Sequence, residues 1–300
     1  MVAWVTTDVL LGALAIAVGG AIVYLRVAFG PGEEEHKERM AVPHLADEVA
    51  LEKAFKREIE YIFRNGMRFY TQMWYPLDPS SPKGIVLLLH GVNGHGGRQT
   101  PFFHELLTHG WIAASYDLRG HGRSSGRHGY VPSIAGLADD TLAYIRHLKT
   151  RFPHLPIFLL GGSMGGLTAV HTVLQVQALS EPLLAGVIFQ APAVHINPAA
   201  RPPAIIESIA RVLHVVAPKL PLLQPEVNPL SADGKPLALP DADPLNYTGR
   251  MRLATGLALV NGIEEVAPRL QDIKLPMLIQ HGDIDAVIPA DACVVVVSLF

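Results

Sequence analysis

The 300-residue sequence predicts an α/β protein with a mostly parallel central sheet, and three observations carry that expectation. Short continuous apolar runs recur at 84–90, 111–116, 156–160, 185–189 and 275–280, with helix-compatible stretches between the earlier ones. A run that is apolar on both sides suits a strand covered on both faces, as crossover helices cover a parallel sheet. An Asn65–Gly66 pair separates two β-favouring runs, 59–63 and 67–74, and predicts an antiparallel hairpin at the N-terminal side. With 49% apolar and 17% charged residues, the chain can also fill one large core.

The elements follow in order. Residues 9–25 carry no charge, and the apolar character continues through Val27, Ala28 and Phe29 to Gly30–Pro31. As a helix rising about 1.5 Å per residue, this stretch reaches roughly 25–30 Å, the thickness of a bilayer core. Ala13, Ala17 and Ala21 line one smooth face. Asp8 and the lack of Lys or Arg ahead of the run argue against a cleaved signal peptide. Arg26, Lys37 and Arg39 follow it, which predicts a single-pass anchor with the folded domain in the cytosol. The expected organisation is an anchor over 1–30, a linker or short helix over 31–58, and one domain over 59–300. Helices are expected at 100–109, 134–152 and 165–179. Eleven of the 24 prolines lie between Pro192 and Pro244, around an apolar helical stretch at 205–216. A long insertion over about 194–250, after a strand of a parallel sheet, is placed to form a lid over a site.

Composition narrows the function classes. The net charge of −3, from 24 basic and 27 acidic residues, gives no electrostatic case for nucleic acid. The single cysteine, Cys293, allows no intrachain disulfide. There is no His-Glu-x-x-His pattern and no cysteine pair, so no metal or other cofactor is expected. Oligomeric state is not legible.

The chemistry concentrates in three loops. Gly161-Gly-Ser163-Met164-Gly165 follows one strand and opens a helix, the context in which G-x-S-x-G marks a nucleophile. A sharp strand-to-helix turn strains the serine, and Gly161 and Gly165 let the backbones on either side approach closely. Ser163 is therefore the expected nucleophile, with a serine incidental to a glycine-rich turn as the alternative. A tetrahedral oxyanion needs two N–H donors. One is expected from Met164 and the other from Val92, in the loop His90-Gly91-Val92 that ends the first core strand. His90 is a possible base, but its place before Gly91 reads better as a brace for that loop. In His281-Gly-Asp-Ile-Asp285, Asp285 is the expected acid that orients a catalytic histidine, and Asp283 its rival.

In Ser…Asp…His order the histidine must follow Asp285, and residues 286–300 contain none. Fifteen residues barely hold a covering helix, and the β-branched run 294–297 is poor helix material. His195 and His281, at strand ends, are the substitute candidates, with structural roles favoured for both. His104, His147 and His171 lie in helical stretches and read as structural.

Together these residues resemble the monoacylglycerol lipase/lysophospholipase group of α/β-hydrolases, the serine aminopeptidase S33-like or Hydrolase_4 set. The resemblance runs from about Ile59 to Asp291. It is carried by His90-Gly91-Val92, Asp117-Leu-Arg-Gly-His-Gly-Arg-Ser124, Gly161-Gly-Ser-Met-Gly-Gly166, Asp243-Pro-Leu-Asn-Tyr-Thr-Gly249 and His281-Gly-Asp-Ile-Asp285. It implies an α/β-hydrolase fold and hydrolysis of acyl esters of glycerol or related lipids beneath a membrane-facing lid. The family places its last strand and catalytic histidine where this sequence departs from it. The expectation is a C-terminus cut short or replaced there, and weak or no turnover. The alternative is a non-catalytic, membrane-tethered homologue that binds a lipid ester without cleaving it.

Overall fold

Strand β3 (Ile85–Leu89) shows why the apolar runs become a buried sheet. Ile85, Leu87 and Leu89 point into a core cluster with Leu137, Ile145, Leu167 and Val173. Val86 and Leu88 point the other way, into a second cluster with Leu51, Phe55, Phe103 and Leu107. Successive side chains alternate between faces, so a strand with helices on both sides must be apolar throughout.

The computed structural model describes residues 2–32, 37–179, 181–195, 201, 203–223, 243–283, 285 and 288. Helix α1 (Val2–Phe29) leads, and α2 (Ala46–Glu52) and a 3-10 turn (Lys37–Ala41) occupy the stretch expected to link it to the sheet. Strands β1 (Lys56–Arg64) and β2 (Met67–Tyr75) form the hairpin, with positive φ at both Asn65 (50°) and Gly66 (75°) as a tight primed turn requires. β1 begins on Lys56, Arg57 and Glu58, polar residues that hide a strand from an apolar-run reading. Then follow β3, α3 (Thr100–Thr108), β4 (Ile112–Tyr116), α4 (Ile134–Arg151), β5 (Ile157–Ser163), α5 (Met164–Ala178) and β6 (Gly186–Pro192).

After these come α6 (Ala204–Val216), a small ladder of β7 (Pro221–Leu223) with β8 (Met251–Arg252), α7 (Leu253–Val266) and β9 (Met277–Gln280). The main sheet runs β1-β2-β4-β3-β5-β6-β9. β4, β3, β5, β6 and β9 are mutually parallel, and the hairpin joins antiparallel through β2.

The sequence reading gives no element to α7. Its two glycines and its Thr and Asn lower helix propensity, yet Gly262 has a packing reason: a Cβ there would lie 2.7 Å from Ile134. The expected lid contains α6 and β7, while 196–200, 202 and 224–242 lie outside the described residues. So do 286–287 and 289–300, where the altered C-terminus is expected.

Candidate active site

β5 is flanked by β3 and β6, and its last residue, Ser163, turns directly into α5. Ser163 has φ 52° and ψ −119°, a conformation disfavoured for any side-chain-bearing residue. The turn closes only with small neighbours. A Cβ on Gly161 would sit 2.2 Å from the Gly165 carbonyl oxygen, and one on Gly165 would sit 2.3 Å from that of Leu89. Helix α5 begins at Met164, and its first amides have no partner inside the helix. They present partial positive charge beside the serine hydroxyl.

The β3 loop lies against this turn. The position of a Gly91 Cβ is 3.3 Å from Ser163 Cβ and 3.8 Å from its Oγ. The structure therefore brings Gly91 against Ser163, with Val92 and Met164 the next residues along their two segments. His90 is buried behind them: its Nδ1 donates to the Gly91 carbonyl (2.8 Å) and its Nε2 accepts from the Leu118 amide (3.0 Å). With both ring nitrogens engaged, His90 braces the loop. Burial pushes its imidazole down to about 4, so it is neutral near pH 7. The ring of His121 packs on it at 5.3 Å and is pushed further, to about 3, also by burial.

Three residues given no role from sequence complete the brace. Asp117, fully buried after β4, accepts from the Gly96 amide (2.8 Å) and the Arg123 amide (2.7 Å). His95 accepts from the Gly97 amide through Nδ1 (3.2 Å) and donates through Nε2 to Asp243 (2.8 Å). The Asn93 carbonyl accepts from the Tyr247 amide (3.0 Å), so the segment returning after residue 242 is stitched to the loop beside Ser163. Burial acts upward on the Asp243 carboxyl, but the hydrogen bond from His95 brings it below its ordinary value. For Asp117 and Asp243 the sequence signal was position alone, in segments that carry the resemblance; His95 had none.

Asp285 lies beyond β9, two strands from β5 at the same C-terminal end of the parallel strands. Its Oδ1 accepts from the Ile288 amide (3.0 Å), and its Oδ2 is 3.5 Å from His281 Nε2. That nitrogen donates to the Ile288 carbonyl at 2.6 Å. Asp283 is exposed and His195 lies exposed after β6. His171 bonds the Gly262 carbonyl, His147 bonds Glu60, and His104 packs edge-on against Phe55. Among the described residues, no group of three or more His, Cys, Asp or Glu is arranged to hold a metal ion.

Residues 80–296 match the Hydrolase_4 family, described as serine aminopeptidase, S33. The chain belongs to this family. Within Hydrolase_4 it resembles the monoglyceride lipases: it is 28% identical to the monoacylglycerol lipase of Mycolicibacterium smegmatis over 75% of this chain and 77% of that one. It is also 28% identical to human monoglyceride lipase, over 74% and 71% of the two chains. Its fold is similar to that of the crystallised Paleococcus ferrophilus monoacylglycerol lipase (TM-score 0.62, 25% identity, 77% of this chain and 84% of that chain). The Saccharomyces cerevisiae monoglyceride lipase shares the fold with a TM-score of 0.68 over 81% and 82% of the chains, at 19% identity. The α/β-hydrolase fold expected from sequence is thus the fold of this Hydrolase_4 member.

Proposed function

We propose that this chain is a membrane-anchored serine hydrolase of lipid monoesters, acylglycerols or lysophospholipids, with Ser163 as nucleophile. The observation that carries the reading is the strained Ser163 turn, packed so close to Gly91 that a Cβ built there would lie 3.3 Å from that of Ser163. In this reading Ser163 Oγ attacks the ester carbonyl, and the Val92 and Met164 amides hold the oxyanion. The alcohol leaves with a proton, and water then releases the fatty acid. Asp285 serves as the acid that orients a histidine base. Residues 194–250 act as the lid. The 21-residue stretch Val9–Phe29 of α1, apolar but for small residues and Arg26 near its end and unburied by the rest of the chain, crosses the membrane, with Arg26, Lys37 and Arg39 keeping the domain cytosolic.

The base is the missing part. No histidine follows Asp285 in these 300 residues, and the ring nitrogens of His90 are both hydrogen-bonded. We therefore read the 300-residue chain as turning over slowly, by on the order of 10³–10⁶ below a complete triad. The test is hydrolysis of p-nitrophenyl butyrate and a monoacylglycerol, against Ser163→Ala and with imidazole added as a substitute base. Slow, Ser163-dependent turnover that imidazole raises supports the reading. Fast turnover without imidazole shows that another base acts. The engaged imidazoles also favour a second reading, a lipid-binding protein without turnover. It predicts monoacylglycerol binding with no labelling of Ser163 by a fluorophosphonate.

A further inference from the structure

Helix α6 has two unlike faces. On one, Glu207 pairs with Arg211 (2.6 Å), Arg211 donates to Asn261 of α7 (2.9 Å), and Arg201, just ahead of α6, reaches Glu264 of α7 (2.5 Å). On the other, Ile205, Ile209, Val212 and Val215 recur at helical spacing and are 67, 56, 72 and 69% exposed. An apolar stripe so open to water needs a cover.

What covers it is indicated by where the helix ends. Arg26, in the last turn of α1, donates through Nη1 to the Val215 carbonyl at 2.7 Å. Just after α6, the Lys219 amide donates to the carbonyl of Phe29, the last residue of α1 (3.0 Å). The C-terminal ends of the two helices are thus joined by hydrogen bonds in both directions. If Val9–Phe29 crosses a bilayer, Phe29 lies where hydrocarbon gives way to headgroups, and the end of α6 lies there too.

The connection onward from α1 is also fixed a few residues later. Arg39 is buried and donates to the carbonyls of Gly122 (2.7 Å), Ser124 (2.5 Å) and Gly126 (2.9 Å). Arg123 reciprocates by donating to the carbonyls of Val42 (3.1 Å) and Pro43 (3.0 Å).

From these contacts we infer that α1 and α6 form one membrane-bound unit. The apolar stripe of α6 lies in the interface of the leaflet that α1 leaves, and Arg26 is the pin that sets it there. The occupant of the stripe is lipid. α1 then does more than hold the chain at a membrane, because it fixes which helix of the domain meets the bilayer. The polar face of α6 stays on α7, and its apolar face enters the headgroup boundary by roughly 5–10 Å, as interfacial helices do. This rests on the membrane-span reading of α1.

The test uses the full chain in phosphatidylcholine liposomes, with Cys293→Ser and Val212→Cys labelled by an environment-sensitive nitrobenzoxadiazole. The expected emission is blue-shifted and quenched by lipids spin-labelled near the headgroup. Adding Arg26→Ala is expected to return the emission toward its value in water while the chain stays with the vesicles through alkaline carbonate. A water-like signal from carbonate-resistant protein overturns the inference and leaves the span reading standing. A probe unmoved by Arg26→Ala overturns the role of Arg26 as the pin. Extraction by carbonate overturns the span reading and this inference with it.

Discussion

His95 donates its Nε2 proton to Asp243 across 2.8 Å, with both side chains almost wholly out of solvent. The contact spans 148 positions of sequence and joins the loop beside Ser163 to the segment that returns from the insertion. The loop and the returning segment are therefore joined by this side-chain bond as well as by the main-chain bond from Tyr247 to Asn93.

Breaking it by Asp243→Ala leaves a buried imidazole N–H unpaired, a loss of about 1–3 kcal/mol. The expected result is a lower melting temperature together with slower fluorophosphonate labelling of Ser163. Asp243→Asn keeps an acceptor and should recover part of both. The pH dependence has a definite sign. Because the folded carboxyl titrates below its ordinary value, its contribution is complete above the unfolded pKa, about 4. It is lost as pH falls through the lower folded value. Urea midpoints of wild type and Asp243→Asn should converge below that range, and curves that stay parallel would remove the ionic part of the argument.

His90 and His121 predict a second acid-side loss at higher pH. An unfolded histidine takes up its proton near 6.5, whereas burial delays this to about 4 for His90 and about 3 for His121. Between those limits the unfolded chain binds more protons. Stability is then full above about pH 6.5 and falls by on the order of 1.4 kcal/mol per pH unit per histidine below it. Denaturant unfolding between pH 7.5 and 5 measures the slope, and His121→Asn should reduce it. An unchanged slope would assign the loss to other groups.

The strain at Ser163 is measurable by two substitutions that both remove the hydroxyl. Ser163→Ala keeps a side chain at φ 52°, while Ser163→Gly relieves it. Gly at this position should be more stable than Ala by about 1 kcal/mol, the scale of one strained residue. Equal melting temperatures would mean the turn stores no strain.

Two glycines should fail differently. Gly165→Ala drives a methyl into the Leu89 main chain, which cannot withdraw without moving β3, and should yield little folded protein. Gly91→Ala meets Ser163 in a tight but tolerable contact. It should fold and melt near wild type yet label with fluorophosphonate at least several-fold more slowly. Unchanged labelling would place the substrate path away from Gly91.

The sheet was legible because its strands are buried on both faces, and such strands are written in uninterrupted Ile, Val and Leu. Ser163, Gly161 and Gly165 were legible for a related reason: the turn admits so few residue types that the motif nearly specifies the geometry. What the sequence hid has physical causes as well. β1 starts on charges because it is an edge strand where Lys56 stays exposed and the Arg57 side chain is buried against Glu48. α7 is held by packing against Ile134 and Leu167 more than by its own helix propensity. Asp117 reaches Gly96 across 21 positions and His95 reaches Asp243 across 148, and a single sequence carries no trace of such pairings.

The mutual grip of Arg39 and Arg123 also determines where this protein can be shortened. Arg39 holds the turn that Asp117 uses to support the Gly96 amide, so the segment after α1 is part of the scaffolding of the candidate site. A soluble form made by trimming the chain ahead of residue 37 should keep an intact catalytic scaffold. A cut a few residues later, past Arg39, leaves three carbonyls without their donor at once, and the damage would surface some eighty residues away, in the turn 122–126 that holds Asp117.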